Sequence, residues 1–482
     1  MQSLVTLLHG MPWGWNLWTV VSLLSDVLAL LTAPSILLRR RGQPLPALGW
    51  LLAVFALPLL GAGWWWLVGR SRLERRRRRR RAARVNLCAA VPGVDDGRLE
   101  CCEPSGEAGA PPWRGCSDVR LVVDGEEVYA ALDELIAAAV SSLEVMFYIW
   151  RDDATGRRFR DHLAARAAEG VVVRVLVDAV GSAGLPRSFW WPLEEAGGHV
   201  AQFQPPRLLR RGFDLNFRNH RKLVVCDATA AWVGGLNIGE EHLGAWHDMG
   251  VVLSGGGVVD LREVFLDDWF FATGDAGLAA PHAAGSGRAR APGNPEDLSP
   301  ARVRALASGP DELDNSTRAW LFDHIGLAMS RVWVLTPYFA PDPAMLEALT
   351  GAARRGLDVR VVLPASGYTL GDRIACLASR SFWEPLLRVG ARLHLYRDGF
   401  SHAKAVLIDE VAYVGSANLD ERSLRLNFEL GVVVEGGRFV DDLEATLERD
   451  FASARELDVA IAKSSPAERL LSSAAHLFSP LL

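Results

Sequence analysis

The pattern His-x-Lys-x4-Asp occurs twice in the chain and supplies the residue types that phosphate chemistry needs. The two copies comprise, in chain order, His220, Lys222, Asp227, His402, Lys404 and Asp409. An imidazole can attack phosphorus, while a neighbouring ammonium group neutralises a non-bridging oxygen as charge develops in the transition state. On a strand, the histidine and lysine of each copy share one face. The duplication predicts one composite site that handles a phosphate twice, through a covalent histidine intermediate.

Each copy is followed at nearly the same distance by a Gly, then a Gly or Ser, and then an Asn two positions later. The predicted phosphate-binding residues are Gly235, Asn237, Ser416 and Asn418. Small residues allow backbone N–H groups to approach a phosphate, and the Asn side chains add amide donors. The matched spacing in both halves strengthens the interpretation of one shared site.

An acid lies eleven residues after each of these Asn residues. Asp248 and Glu429 are therefore predicted to bind Nδ1 of a histidine and fix its tautomer and orientation. The alternative is that both are solvent-exposed acids in an acid-rich region. Asp227 and Asp409 belong to the catalytic pattern, but each lies an odd number of strand positions from its histidine. They are expected to organise the turn and the facing repeat.

The two histidines are expected to have opposite roles, one attacking while neutral and the other donating a proton while charged. Near-neutral pKa values would make both states accessible. No metal and no cofactor is expected, because the lysines supply the positive charge and neither an HExxH nor a P-loop pattern is present. His242 and His247, near the first copy, are expected to be ordinary loop residues.

The chain contains six cysteines, and four of them precede the first copy of the pattern. They are Cys88, Cys101, Cys102, Cys116, Cys226 and Cys376. Their spacing fits no zinc pattern, so structural or incidental reduced thiols are expected, with a metal or redox site as the alternative.

The internal duplication extends well beyond the two motifs and predicts the fold class. Helical patterns at 131–143 and 316–330 are each followed by an apolar β-branched run, then by a second helix and a second strand. Such alternation predicts an α/β fold with helices on both faces of a sheet. The predicted domains are a first repeat at 118–273, a Gly/Ala/Pro-rich linker at 274–300 and a second repeat at 301–482.

Two long apolar segments at 17–38 and 47–69 predict a membrane anchor within residues 1–84, followed by a segment of unclear structure at 85–117. Each segment exceeds the roughly 20 residues needed to cross a bilayer. The loop between them holds three Arg, whereas 70–84 holds ten. The positive-inside rule then predicts a two-helix hairpin in the cell (inner) membrane, with both termini and the catalytic part in the cytoplasm.

The N-terminal segment and the rest of the chain carry net charges of opposite sign. Residues 1–84 carry a net +11, and the whole chain carries −5, so residues 85–482 carry −16. The Arg-rich run at 75–81 is expected to act as a stop-transfer and positive-inside signal, and the alternative adds attraction to anionic lipid headgroups. A catalytic part of such negative charge argues against nucleic acid as a partner.

At these residues the chain resembles the phospholipase D superfamily, and more narrowly the bacterial cardiolipin synthases. The resemblance rests on HRKLVVCD…GGLNIG, HAKAVLID…GSANLDERS and the two-span N-terminal segment. It implies two similar α/β/α halves around a pseudo-twofold axis, with the site at their interface. It also implies transfer of a phosphatidyl group between two phosphatidylglycerol molecules, giving cardiolipin and glycerol, with His220 as nucleophile and His402 as acid and base.

Other readings stay open at this point. Water as acceptor would make the protein a phospholipase D, and serine a phosphatidylserine synthase. A nuclease of the same superfamily and a catalytically inactive lipid-binding scaffold are more distant alternatives. The oligomeric state is not predicted.

Overall fold

The structure is a computed structural model that describes residues 17–40, 44–69, 111–203, 217–244, 246–275, 301–312, 315–458 and 465–477. The chain divides into two compact units. The first comprises Met1–Arg76 with Arg207–Phe213, and the second comprises the remainder. Three of the cysteines (Cys88, Cys101 and Cys102) and the predicted linker over 276–300 lie outside the described residues.

The described part of the first unit is helical, with elements α1 (Leu17–Arg39), α2 (Pro44–Ala56), α3 (Pro58–Trp64) and a π-helical turn at Trp65–Gly69. One helix, over Val20–Arg39, is long and apolar enough to cross a membrane. The indole N–H of Trp65 donates to Ser35 Oγ at 3.2 Å, which ties the two apolar segments together.

The second apolar segment is not the single continuous helix that its composition predicts. Leu57 leaves the helical region at φ −135°, and Pro58 starts the next helix at its first position. Proline has no backbone N–H to continue the preceding helix and is tolerated at a helix start. A second membrane crossing therefore remains a prediction.

The second unit contains nineteen strands within the described residues. They are β1 (Arg114–Val123), β2 (Ser142–Phe147), β3 (Val172–Asp178), β4 (His199–Phe203), β5 (Leu223–Cys226), β6 (Ala230–Gly234), β7 (Trp246–His247), β8 (Met249–Gly255), β9 (Arg302–Ser308), β10 (Arg331–Leu335), β11 (Phe339–Ala340), β12 (Asp358–Pro364), β13 (Arg392–Tyr396), β14 (Phe400–Ser401), β15 (Ala405–Ile408), β16 (Val411–Gly415), β17 (Leu419–Asp420), β18 (Glu429–Glu435) and β19 (Arg455–Glu456). The α-helices are α4 (Asp124–Ala138), α5 (Ala154–Ala168), α6 (Trp191–Glu195), α7 (Gly257–Thr273), α8 (Ser316–Leu327), α9 (Pro343–Arg354), α10 (Leu370–Ser379), α11 (Trp383–Leu387), α12 (Arg438–Ser453) and α13 (Pro466–His476).

In the described part of this unit, fifteen strands form one continuous sheet that repeats the same topology in both halves. Its order is β19-β13-β12-β10-β15-β16-β18-β9-β1-β8-β6-β5-β2-β3-β4. The halves meet where β1 pairs antiparallel with β9, through Arg114 opposite Val303 and Gly115 opposite Arg302. A pseudo-twofold axis between these first strands relates the repeats, and the fold class expected from the duplication is confirmed.

Helices cover both faces of the sheet. On one face, α7 and α12 pack on strands of both repeats and form a single shared apolar core. On the other face each repeat has its own core, beneath α4 and α5 in the first and beneath α8 and α9 in the second. The shared core holds the two halves together and so fixes the relative positions of their motifs.

The first repeat begins earlier and its first helix ends earlier than the sequence predicts. Strand β1 starts at Arg114, ahead of the predicted boundary at 118, and α4 ends at Ala138 rather than at 143. The carboxylate of Asp227 accepts hydrogen bonds from the backbone N–H groups of Val140, Ser141 and Ser142 at 2.7–2.8 Å. These bonds hold that segment as a turn, which stops the helix.

Candidate active site

Backbone hydrogen bonds between the repeats set the positions of the two histidines. The N–H of His402 donates to the carbonyl of His247 at 2.7 Å, where β14 pairs with β7. In the equivalent place, the N–H of His220 donates to the carbonyl of Phe428 at 2.9 Å. Each histidine therefore lies beside a segment of the other repeat.

The two acids bind the histidines crosswise. Asp248 of the first repeat accepts from Nδ1 of His402 at 2.7 Å, and Glu429 of the second repeat accepts from Nδ1 of His220 at 2.9 Å. A protonated Nδ1 leaves Nε2 as the lone-pair nitrogen of each neutral imidazole. The acids thus have the geometry needed to fix a tautomer, and the fixed tautomer presents Nε2 for chemistry.

Both lysines are buried next to the histidines of their own copy. Lys222 Nζ donates to the carbonyl of His220 at 2.6 Å. Lys404 Nζ donates to the carbonyl of His402 and lies 2.8 Å from Nδ1 and 3.1 Å from Nε2 of its ring. The site thus concentrates two lysine amino groups, two imidazoles and two carboxyls within one buried region.

Burial controls the protonation of this cluster. It lowers the pKa of His220 to about 4, against the opposing effect of Glu429. Burial, together with Lys404 and Lys222, holds the pKa of His402 well below its ordinary value. Burial also lowers the pKa of Lys404 to about 8. The expectation of near-neutral histidine pKa values is therefore wrong for the protein groups alone, because an imidazolium here would join two buried cations.

The pKa values of the two carboxyls, Glu429 and Asp248, shift in opposite directions. Burial raises the pKa of both, but at Glu429 the charges of His220 and Lys222 and the hydroxyl of Ser416 bring it below its ordinary value. At Asp248 burial outweighs Lys404 and the pKa remains raised. Glu429 is the more firmly ionised acid.

Gly235 and Ser416 do not offer the phosphate donors predicted for them. The N–H of Gly235 donates to Met249 O at 3.1 Å, and that of Ser416 donates to Leu430 O at 2.9 Å, so both serve the sheet. The Ser416 hydroxyl donates to Glu429 Oε2 at 2.5 Å. Instead, Gly235 leaves space for Asp248, and the Ser416 hydroxyl binds Glu429.

Steric hindrance explains why position 235, in the first copy, is a glycine. A Cβ at position 235 would lie 2.4 Å from Asp248 Oδ1, closer than side-chain atoms approach each other. Asp248 thus occupies space that a side chain at position 235 would need, whereas in the other half the Ser416 hydroxyl binds Glu429.

Asn237 and Asn418 are buried, and their roles as phosphate donors stay predictions. The Oδ1 of Asn237 accepts from Ile149 N at 3.1 Å, which leaves its Nδ2 as the donor. Asn418 hydrogen-bonds through its side chain to Asp420.

Asp227 and Asp409 lie away from the site, and their assignment as catalytic residues is corrected. Asp409 accepts from the backbone N–H groups of Met329, Ser330 and Arg331 at 2.9–3.0 Å, as Asp227 does in the first repeat. These contacts lie within one repeat, not on the facing one as expected. Each aspartate follows its strand at the end opposite the histidine, and it organises the turn before the neighbouring strand.

His242 and His247, expected to be ordinary loop residues, are both buried here. His247 donates to Asp124 Oδ1 at 2.6 Å and to Asp450 Oδ2 at 3.1 Å, and its ring stacks on Tyr396 at 5.3 Å. Burial lowers the pKa of His247, but the two carboxylates outweigh burial and raise it to about 10. This imidazolium joins the repeats at the point where its own carbonyl holds His402. In the sequence, only the position of His247 directly before Asp248 could have suggested this role.

Over the described ranges, no group of three or more His, Cys, Asp or Glu is arranged to hold a metal ion. Cys116, Cys226 and Cys376 are free thiols.

The comparisons with known proteins agree with this duplicated fold and site. A family model described as cardiolipin synthase, PLD-like domain, matches residues 132–269 and 321–451, which hold one histidine–lysine pair each. The chain is thus a phospholipase D-like protein. It belongs to the cardiolipin synthase family, as the following relatives also show.

The chain is 32% identical to cardiolipin synthase 1 of Bacillus anthracis, over 97% of this chain and 95% of that protein. It is 37% identical to cardiolipin synthase A of Pseudomonas entomophila (strain L48), over 78% of this chain and 77% of that protein. Among solved structures, it resembles the phosphatidylserine synthase of Haemophilus influenzae Rd KW20 with a TM-score of 0.59. That match has 15% identity and covers 77% of this chain and 97% of the other, so it supports the fold alone.

The crossed acid–histidine pairs lead to a first prediction. Glu429→Gln and Asp248→Asn should each lower kcat by about 100-fold or more, because an amide can donate to Nδ1 and favour the wrong tautomer. Steady-state kinetics on purified protein would measure this. Glu435→Gln, a change of the same kind at the other end of β18, is the control. Activity of the Glu429 variant within threefold of wild type would contradict the tautomer role.

The His247 clamp leads to a second prediction. Its pKa is about 10 in the folded protein and about 6.5 when unfolded, so its stabilisation is complete below pH 6.5 and is lost as pH rises toward 10. His247→Gln should therefore melt below wild type at pH 6, and the gap in Tm should shrink toward pH 10. A gap that is constant with pH would show that His247 is not charged in the folded protein.

Proposed function

We propose that this protein is a cardiolipin synthase that transfers a phosphatidyl group from one phosphatidylglycerol to another, releasing glycerol. The observation that carries the proposal is the pair of oriented histidines, each bound by an acid of the other repeat, beside two buried lysines. Membership of the cardiolipin synthase family supports the same activity.

In the first step, Nε2 of His220 attacks the phosphorus of a phosphatidylglycerol. The N–P bond forms, the P–O bond to the glycerol headgroup breaks, and His402 gives its proton to the departing oxygen. The ionised Glu429 supports His220 as the nucleophile, since the ring becomes cationic as it is phosphorylated.

In the second step, a hydroxyl of the second phosphatidylglycerol attacks the phosphohistidine. His402 accepts the hydroxyl proton, the new P–O bond forms, and the N–P bond breaks to restore His220. Cardiolipin and glycerol are the products, and no proton is lost or gained overall.

The lysines bind the phosphate, and the bound phosphate in turn changes the protonation of the histidines. A phosphodiester anion between Lys222 and Lys404 is paired with two buried cations, and its charge raises the pKa of the neighbouring imidazoles. His402 then gains the proton that the first step requires. Protonation is thereby coupled to substrate binding, even though burial keeps the histidine neutral otherwise.

Anionic phospholipid and the membrane are the proposed partners. We assign the chain to the cell membrane, with both apolar segments crossing and the catalytic unit in the cytoplasm. The helix over Val20–Arg39 supports one crossing. The ten Arg in 70–84 support the cytoplasmic placement of the segment that follows the second.

The activity is tested by incubating detergent-solubilised protein with phosphatidylglycerol and analysing the lipids by mass spectrometry. We expect cardiolipin and an equal amount of glycerol, and neither His220→Ala nor His402→Ala should support turnover. After alkaline denaturation, peptide mass spectrometry should find the phosphatidyl adduct on His220. Phosphatidate as the sole product would identify a hydrolase instead, and near-normal activity of either variant would refute the composite site.

The orientation is tested by labelling cysteines in intact cells with a membrane-impermeant maleimide. Cys88, Cys101 and Cys102 should react only after the membrane is permeabilised. Labelling in intact cells would place this segment outside. A cysteine introduced at Gln43, in the short loop between the apolar segments, should show the opposite pattern and serves as the control.

A further inference from the structure

The two sides of the site differ in the chemistry of their walls. The His402 ring is surrounded by aromatic and imidazole rings, with centroids 5.1 Å from Trp246, 5.9 Å from His242 and 6.1 Å from Phe400. The rings of His242 and Trp246 are themselves 4.7 Å apart, nearly perpendicular. Apart from Asp248 and Lys404, which contact His402 directly, the wall on this side consists of rings.

The His220 side contributes charge instead. Tyr148 lies edge-on to the His220 ring at 4.9 Å. Burial and Asp178 raise the pKa of this tyrosine, while the guanidinium groups of Arg422 and Arg218 act in the opposite direction. A polar or charged portion of a substrate would be favoured there, whereas the His402 side suits an uncharged one.

Two polar atoms on the His402 side are buried without a hydrogen bond. They are Nδ1 of His242 and Nε1 of Trp246, and no partner lies within reach of either among the described residues. His242 is only 1% exposed. An unsatisfied buried polar group costs about 1–3 kcal/mol, and a ligand that paired with these two atoms beside His402 would remove that cost.

We propose that His242 and Trp246 form a subsite for an uncharged polyol. In the first step it holds the glycerol headgroup that leaves, and in the second step it holds the hydroxyl of the acceptor. This inference rests on the proposed function and deepens it. The indole N–H can only donate, whereas a neutral imidazole can both donate and accept, which suits two neighbouring hydroxyls. The faces of the rings cover the carbon atoms of the polyol.

Neutrality of His242 is consistent with this role. Burial, together with the neighbouring His402, lowers its pKa to about 3, while Asp248 acts in the opposite direction. A neutral imidazole keeps one nitrogen as an acceptor, and it adds no positive charge beside the two lysines. His242 therefore positions the alcohol next to His402, which carries out the proton transfer.

The second repeat provides a matched position. His242 lies five residues after Asn237, and Ser423 lies five residues after Asn418. Ser423 is also buried, and its hydroxyl likewise lacks a hydrogen bond among the described residues. The duplicated positions therefore carry an imidazole in the first repeat and a small hydroxyl in the second, and only the imidazole offers a ring to the polyol.

The test uses the full-length protein with cardiolipin as donor and glycerol as acceptor, which runs the reaction in reverse. His242→Phe should raise the KM for glycerol about tenfold or more, and leave the KM for cardiolipin nearly unchanged. Water should then compete better for the phosphohistidine, so the ratio of phosphatidate to phosphatidylglycerol should rise. Trp246→Phe, which keeps a ring but removes the N–H donor, should shift the same two quantities in the same direction.

Two conservative variants identify the nitrogen that acts. Asn at position 242 places its amide near Nδ1, and Gln places its amide near Nε2, so His242→Asn should recover the low glycerol KM if Nδ1 binds the polyol. Trp320→Phe removes another buried indole N–H that lacks a hydrogen bond, in the core beneath α8, so it is the control and should leave the product ratio at the wild-type value. The Tm of every variant shows whether it is folded, and the Asn and Gln variants replace His242→Phe if that one does not fold.

An unchanged glycerol KM and product ratio in a folded His242→Phe protein would overturn the subsite. An equal loss of transfer and hydrolysis would do the same, since it indicates a structural role. Failure of the wild-type protein to make phosphatidylglycerol from cardiolipin and glycerol would instead refute the proposed function. The two failures are therefore distinguishable.

Discussion

Backbone hydrogen bonds exchanged between the repeats decide where every reactive group lies. One strand segment of each repeat pairs with the segment that carries the histidine of the other, through His247 with His402 and through Phe428 with His220. Asp248 and Glu429 are the next residues along the chain, so each acid reaches the opposite histidine. The shared apolar core under α7 and α12 supports this exchange. Loss of the docking would separate both pairs at once.

The exchange also explains how so many ionisable groups can be buried together. The two lysines, the two acids and His402 are nearly inaccessible to solvent, and the side chain of His220 is only 13% exposed. Such a cluster is tolerated when opposite charges alternate and hydrogen bonds satisfy them. The two halves do this differently. Glu429 receives Ser416 and Asn427 as additional donors, while the shorter Asp248 is bound by the backbone N–H of Met249. The approximate symmetry of the sequence thus hides unequal acids and unequal roles.

Much of this could be predicted from the sequence, because duplication is visible without coordinates. Matched positions in the two halves predict the histidines, lysines and orienting acids, and the alternation of helical and β-branched runs predicts the α/β class. The crossing of the pairs could not be predicted, since spacing places an acid near a histidine without saying which one. Gly235 and Ser416 were misread because their N–H groups serve the sheet. Asp227 and Asp409 were counted with the catalytic pattern, although strand geometry places them at the far end. His242 and His247 are matched in the second repeat by Ser423 and Phe428, which are different residue types, so comparison of the two halves could not single them out.

The distance along the chain between His220 and its acid has a consequence for synthesis on the ribosome. Glu429 lies 209 residues after His220, so the first histidine emerges long before the carboxylate that orients it. In the other pair the order is reversed, because His402 lies 154 residues after Asp248. The acid is therefore synthesised before the imidazole that it orients. A nascent or truncated chain therefore displays the motif without an oriented nucleophile, and His220 can be oriented only after translation has passed Glu429 in β18 and the two halves have closed.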